Sequence, residues 1–300
     1  MGSKLFLSVL FISLLAVFSA HTATALTYTG KARLTATEHR AYYGDDFYTE
    51  YERGSRNQQM KGLLRVILTS DHLPVPGKLD RIELTGCQGS PGCYRHTPVT
   101  YNRARVFILG DFYLVPTSNG YGVKEVYCSR VYDSPEFGQE KPGPGKIPAD
   151  KVVNVEHTWP QSRFNHRYSA DMQKADMHHL FPSDSQVNST RGNYEFGNVT
   201  HSTQDLDCTN SKFGVGSAGG SDIFEPPNQH KGNVARALFY FSTKYDLVIS
   251  AAEESVLKQW NHSDPVDDEE IRRNEAIFKL QGSRNPFIDY PDLADRITDF

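Results

Sequence analysis

The chain has 300 residues, with 32 Lys and Arg against 36 Asp and Glu and a formal net charge of −4. Hydrophobic residues make up 38% and charged residues 23%, a composition of ordinary globular proteins rather than disordered ones. There is no collagen-like period, acidic tail or basic block, and no long apolar run after the first few tens of residues, which excludes fibrous, multi-span membrane and largely disordered chains.

Residues Met1 to Ala25 carry one charge, Lys4, then the apolar run Leu5 to Phe18, then Ala23 and Ala25 in an A-x-A arrangement. That order predicts a cleaved secretory signal peptide rather than an anchor, since a bilayer span needs ~20 apolar residues. The remaining chain, 26–300, would then mature in an oxidising space, where Cys87, Cys93, Cys128 and Cys208 predict two disulfides. Three pairings are open. Cys87 and Cys93 flank the turn-forming Gln-Gly-Ser-Pro-Gly, which favours a small closed loop and leaves Cys128 for Cys208. No C-x-x-C pair supports a zinc site.

Gln58 to Leu68 and Asn102 to Leu109 have helical spacing of apolar residues. Tyr121 to Tyr132 is β-branched and aromatic, predicting a strand. Pro135 to Pro148 and Asn210 to Asn228 read as loops, the first exposed. Gly232 to Tyr245 predicts a buried helix, and Asp267 to Leu280 another, with acidic residues at its start and Gly282 just past its end. Helices and strands alternate without a βαβ rhythm, so the class is α+β in a single domain.

The chemistry concentrates between Val152 and Gly197. Val152 to His157 is β-prone and stopped by Pro160; Asp176 to Phe181 reads as a second strand stopped by Pro182. Ser183 and Asp184 can cap a helix carrying Asn188 and Arg191, three apart and so on one face. If that face covers the end of the first strand, Glu156, His157, Asn188 and Arg191 converge. A carboxylate and an amide oxygen suit Mg²⁺, which keeps several waters. A neutral imidazole can take a proton from an attacking water, and a guanidinium can hold a phosphate oxygen. One obstacle is plain: neighbours on a strand point to opposite faces, so Glu156 and His157 meet only where the strand ends, bends or bulges.

The run VEHTWPQSRF, then DMHHLFP, then VNSTRGN resembles the endonuclease I family of secreted bacterial nucleases, with similarity over roughly Tyr121 to Ile297. The resemblance implies a ββα-metal nuclease core at about 152–197, with flanking helices and short strands. It implies a sequence-tolerant hydrolase of DNA and RNA that leaves 5′-phosphates. It places His157 as general base and Glu156 and Asn188 as ligands of Mg²⁺, with Mn²⁺ or Ca²⁺ as substitutes. A phosphate-steadying arginine has candidates in Arg163, Arg167 and Arg191. A secreted or periplasmic monomer, free of the membrane after leader removal, is expected. The alternatives are an extracellular ribonuclease, a small-nucleotide phosphodiesterase on the same core, and a catalytically silent nucleic-acid-binding relative. His178, His179 and Trp159 read as structural, with Asp176 and one imidazole bonded across the hairpin. Arg236, Arg272, Arg273 and Arg284 read as solvated or ion-paired.

Overall fold

The structure, a computed structural model, describes residues 38–216 and 219–300; the expected signal peptide, 1–25, lies outside them. Helices α1 (Glu38–Ala41), α2 (Gly44–Glu52) and α3 (Asn57–Thr69) lead into a hairpin of β1 (Asp71–Leu73) and β2 (Arg81–Glu83). Next come α4 (Tyr101–Phe107) and an antiparallel sheet of β3 (Leu114–Thr117), β4 (Gly120–Lys124) and β5 (Val131–Asp133). A second hairpin joins β6 (Val153–His157) to β7 (Leu180–Asp184), with α5 (Ala170–Ala175) between them in sequence. It is followed by α6 (Ser185–Arg191) and a sheet in the order β10 (Ile223–Glu225), β9 (Lys212–Gly216), β8 (Val199–Gln204). The chain closes with α7 (Lys231–Tyr245), α8 (Ala251–Ser263), α9 (Asp268–Gln281), α10 (Pro286–Asp289) and α11 (Leu293–Arg296). The α+β class holds, and no helix among the described residues is long and apolar enough to cross a membrane.

The α7 helix is buried along most of its length and packs on α3 and α8. Its Phe239, Phe241 and Tyr245 enter one apolar cluster with Trp159, Val187 and Phe196, while Ala237 enters a second with Phe107, Val155 and Leu180. The start of α7 lies so close to the end of α8 that a Cβ on Gly232 would sit 2.0 Å from the Asp264 carbonyl oxygen, so only glycine fits. Arg236, fully buried on α7, pairs with Glu270 at 2.6 Å, and Glu270 also closes the capping box of α9 with Asp267. Asp176 collects Lys244 at 2.6 Å, Tyr245 at 2.8 Å, and Tyr240 and Gln281 at 2.9 Å. Burial acts to raise its pKa, yet Lys244 and the neighbouring donors hold it well below the ordinary carboxylate range.

The structure corrects several expectations. The Tyr121–Tyr132 stretch is not one strand but a hairpin of β4 and β5, because the Glu125 carboxylate gathers the N–H groups of Tyr127, Cys128 and Arg130 into a turn, with Ser129 at φ 55°. Asn210–Asn228 is not a loop: it carries β9 and β10. Pro135–Pro148 is not wholly exposed, since Phe137, Pro142, Gly143 and Pro148 are buried. The second strand of the central hairpin begins at Leu180, after a single 3-10 turn over Met177–His179, and Pro182 lies inside it rather than ending it. Pro182 pairs opposite Val155 and lends its carbonyl to the Val126 N–H, so its missing donor costs nothing there. The helix expected over Asn102–Leu109 is α4 running straight into a wider π turn, Ile108–Phe112. In that turn the loop at Lys146 presses against Gly110, where a Cβ would lie 2.3 Å from its carbonyl oxygen.

Both disulfides form, Cys87–Cys93 and Cys128–Cys208. Asp71 lies beside the first, within 4.8 Å of both sulfurs, but sulfurs bonded to each other do not ligate a metal.

Candidate active site

Strands β6 and β7 pair without slippage from Val153 opposite Asp184 to His157 opposite Leu180. The alternation of a regular strand therefore sends Asn154 and Glu156 to one side and Val153, Val155 and His157 to the other. Helix α6 lies over the first side. Its start is fixed by Asp184, which accepts the N–H groups of Gln186 and Val187 at 2.9 and 2.8 Å. Its fourth residue, Asn188, donates from Nδ2 to Asn154 Oδ1 at 2.8 Å, and its seventh, Arg191, sits with Nη1 2.8 Å from Glu156 Oε1.

Arg191 and Glu156 are both almost fully buried. The guanidinium hydrogens go elsewhere, from Nη1 to the carbonyls of His157 (3.0 Å) and Gly192 (3.3 Å) and from Nη2 to Thr158 (2.6 Å). Glu156 Oε1 is thus neutralised by a charge but has no hydrogen bond aligned on it. Burial pushes the Glu156 carboxyl up, and the Arg191 charge opposes that push. The Tyr127 hydroxyl, equally buried, faces the same carboxylate, and burial followed by the Glu156 charge keeps it protonated.

Two oxygens on this side are free to serve a hard cation. One is Glu156 Oε1. The other is Asn188 Oδ1, which points away from the amide nitrogen engaged by Asn154 and meets no donor among the described residues. One anionic and one neutral oxygen, on a strand and on a helix braced by Asn154, fit Mg²⁺ with its remaining positions open.

His157 occupies the opposite side, at the last position of β6. Its Nε2 lies 3.1 Å from the Lys174 carbonyl, a contact that needs a proton on Nε2 and leaves Nδ1 as acceptor, with Gln161 Nε2 3.4 Å away. Burial, then the Lys174 and Arg191 charges, lowers its pKa to about 4 against the support of the Lys174 carbonyl. The imidazole is therefore neutral near pH 7. Its ring stands 5.4 Å from those of Tyr101 and His179.

The expectation that four side chains converge is met for three. Glu156, Asn188 and Arg191 share the α6 side, and the regular pairing of β6 turns His157 away toward α4 and α5. Tyr101 stands against His157, and burial raises its phenol's pKa, with the Arg105 charge opposing and the Glu156 charge adding to the rise.

Of the candidate arginines, Arg191 is buried against Glu156. Arg163 is 3.7 Å from Glu253 and donates to the Asn193 carbonyl at 2.7 Å, and Arg167 pairs with Asp246. His178 and His179 are buried, with burial lowering the first to about 3 and the second well below its ordinary value. They contact the carbonyls of Ser283 and Gln173, at 2.9 Å each, and neither imidazole bonds to Asp176 across the hairpin as expected. Trp159 is core, stacked on Phe241 at 5.5 Å. Arg236, Arg273 and Arg284 are buried and engaged with Glu270, with backbone carbonyls, and with Glu275 and Asp289. Asn154, Tyr101 and Lys174 escaped the sequence reading. Only Asn154 left a signal there, two residues before Glu156 and so on its face.

The sequence model of the Endonuclease I family matches residues 115–292, more than half of the chain and all of the β6–β7–α6 unit. The chain belongs to the endonuclease I family. Among curated relatives, the extracellular ribonuclease of Bacillus subtilis (strain 168) is 40% identical over 162 residues, 48% of this chain and 53% of that protein. The periplasmic deoxyribonuclease of Aeromonas hydrophila is 31% identical over 150 residues, 48% of this chain and 60% of its own. Endonuclease-1 of Buchnera aphidicola subsp. Acyrthosiphon pisum (strain APS) is 30% identical over 115 residues, 38% and 44% of the two chains. The chain thus spans about half the length of the curated relatives it matches.

Proposed function

We propose that this endonuclease I family member is an exported, divalent-metal-dependent endonuclease that hydrolyses DNA and RNA with little sequence preference and leaves 5′-phosphates. The observation that carries this reading is the pair of uncommitted oxygens on Glu156 and Asn188 on one side of the β6 end, with an imidazole held neutral on the other and its Nδ1 placed as acceptor. The ribonuclease and deoxyribonuclease names of its relatives support both polymers as substrates, and their extracellular and periplasmic names support export. The β6–β7–α6 unit would then be a ββα-metal core, acting in a monomer.

In this mechanism Glu156 and Asn188 would hold one Mg²⁺, or Mn²⁺ or Ca²⁺ in its place. When bound, that ion supplies positive charge to the phosphate and the leaving oxygen. His157 Nδ1 takes a proton from the attacking water while the Lys174 carbonyl keeps Nε2–H in place, a contribution of roughly 10²–10⁴-fold for a positioned base. Arg191 opposes the push that burial gives the Glu156 carboxyl rather than meeting phosphate. Since His157 leaves β6 on the far side from Glu156, the scissile phosphate would lie across the open end of the strand, next to Tyr101.

Purified chain incubated with plasmid and with RNA, with and without EDTA, tests the reading. Expected are digestion of both, abolition by EDTA, and loss of at least ~10²-fold in His157→Ala with unchanged circular dichroism. Digestion unaffected by EDTA, or full activity in His157→Ala, overturns it.

A further inference from the structure

The arginines that the motifs offer for phosphate are already spent on carboxylates: Arg163 on Glu253, Arg167 on Asp246, Arg191 on Glu156. The His157 side of the hairpin presents two other cations. Lys174, on α5, supplies the carbonyl that fixes His157, and its ammonium stands 4.6 Å over the Tyr101 ring. That ring is in turn 5.4 Å from the imidazole. Arg105 lies on α4 four residues after Tyr101, so the two share a helix face, and α4 packs directly on α5. Tyr101 therefore has Arg105 one turn along its helix, Lys174 over its face and His157 beside its ring. Both cations are half-buried, and among the described residues neither has a carboxylate within ion-pair distance nor a side-chain hydrogen bond.

We propose that Arg105 and Lys174, set around the Tyr101 ring, form a phosphate-binding subsite that holds the nucleic-acid backbone beside His157. The inference rests on the nuclease reading and deepens it. Positive charge left uncompensated at the rim of a partly buried site concentrates polyanions there, on a chain whose net charge is otherwise −4. The cation–π contact with Tyr101 restrains the Lys174 ammonium, so less side-chain freedom is lost when phosphate binds. Tyr101 and Arg105 fall outside the stretch 115–292 that the family model matches, so this part of the groove is carried by segments particular to the N-terminal side of the chain.

The test uses the mature chain carrying His157→Ala, so that the probe is not consumed, and measures affinity for a 20-base-pair DNA duplex by fluorescence anisotropy across a series of NaCl concentrations. Each phosphate contact contributes about 0.9 to the slope of log affinity against log salt. Arg105→Gln and Lys174→Gln are each expected to reduce that slope by ~0.9, and Arg105→Lys to retain it, with thermal midpoints unchanged. Slopes equal to the parent's in both Gln variants overturn the subsite. Hydrolysis by the chain with His157 intact is measured in parallel. Hydrolysis with unaltered slopes removes the subsite alone, whereas neither hydrolysis nor binding removes the nuclease reading as well.

Discussion

Arg191 lies 2.8 Å from Glu156 yet directs its hydrogens to the carbonyls of His157, Thr158 and Gly192. The guanidinium ties the end of β6 to the end of α6 and compensates the Glu156 charge without capping its oxygen. Burial pushes this carboxyl up, the Arg191 charge opposes that push, and Oε1 remains open to a further positive partner.

Removing that compensation is expected to be costly. Arg191→Met leaves a buried carboxylate with no opposing charge, a change that destabilises by about 3–5 kcal/mol. Denaturant unfolding measures it. The double variant with Glu156→Gln should recover part of the loss, because the uncompensated charge is gone. Equal stability of Arg191→Met and the parent would show that the two groups are not coupled.

Asn154 orients the amide of Asn188 rather than touching the proposed ion. Asn154→Ala frees that amide to rotate, and loss of such a supporting bond lowers metal affinity or activity by roughly 10–100-fold. Titration of Mn²⁺ by calorimetry reads the affinity directly. The expected signature is weaker binding with the folded state intact, and unchanged affinity would remove Asn154 from the site.

Glu253 gives the fold a pH dependence with a definite sign. It is buried, accepts the Phe196 N–H at 2.8 Å, and burial pushes its carboxyl up to about 7. The folded chain therefore binds this proton more tightly than the unfolded chain, where the ordinary value of 4.5 applies. The stability it contributes is full below pH 4.5 and is lost as pH rises through about 7. Glu253→Gln keeps the acceptor and removes the titration. The difference in unfolding free energy between parent and variant should drift between these two pH values and be level above them. A level difference throughout would place the proton elsewhere.

The two disulfides should differ in weight. Cys128–Cys208 closes a sequence separation of 80 and Cys87–Cys93 one of 6, and restraint of the unfolded chain grows with loop length. The loop-entropy estimate is about 4.5 kcal/mol for the long bridge and about 2.4 for the short one. Paired Cys→Ala variants, compared by unfolding, should rank in that order. Loss of activity on reduction should follow the long bridge, which fastens the turn between β4 and β5, itself bonded to Asp184 at the start of α6 through Glu125. Activity unaffected by losing Cys128–Cys208 would break that link.

The sequence alone determined the elements whose cause is local. Apolar spacing set α3, α7 and α9, and Asp184 and Gly282 marked ends of helices because caps act within one turn. The ordered motifs around Glu156, His157 and Asn188 located the candidate chemistry, and the turn between Cys87 and Cys93 favoured one of three open pairings, which the structure then settled. Tertiary structure decided what depends on distant partners. Glu125 folds Tyr121–Tyr132 into a hairpin, and a proline survives inside β7 because its position needs no donor. Arg191 turns out to be bound to Glu156, and His157 faces Tyr101 and Lys174 rather than α6. Side-chain direction on a strand follows from its register, and the fate of a charge follows from which counter-charge the fold brings within reach; neither is written in nearest-neighbour order along the chain.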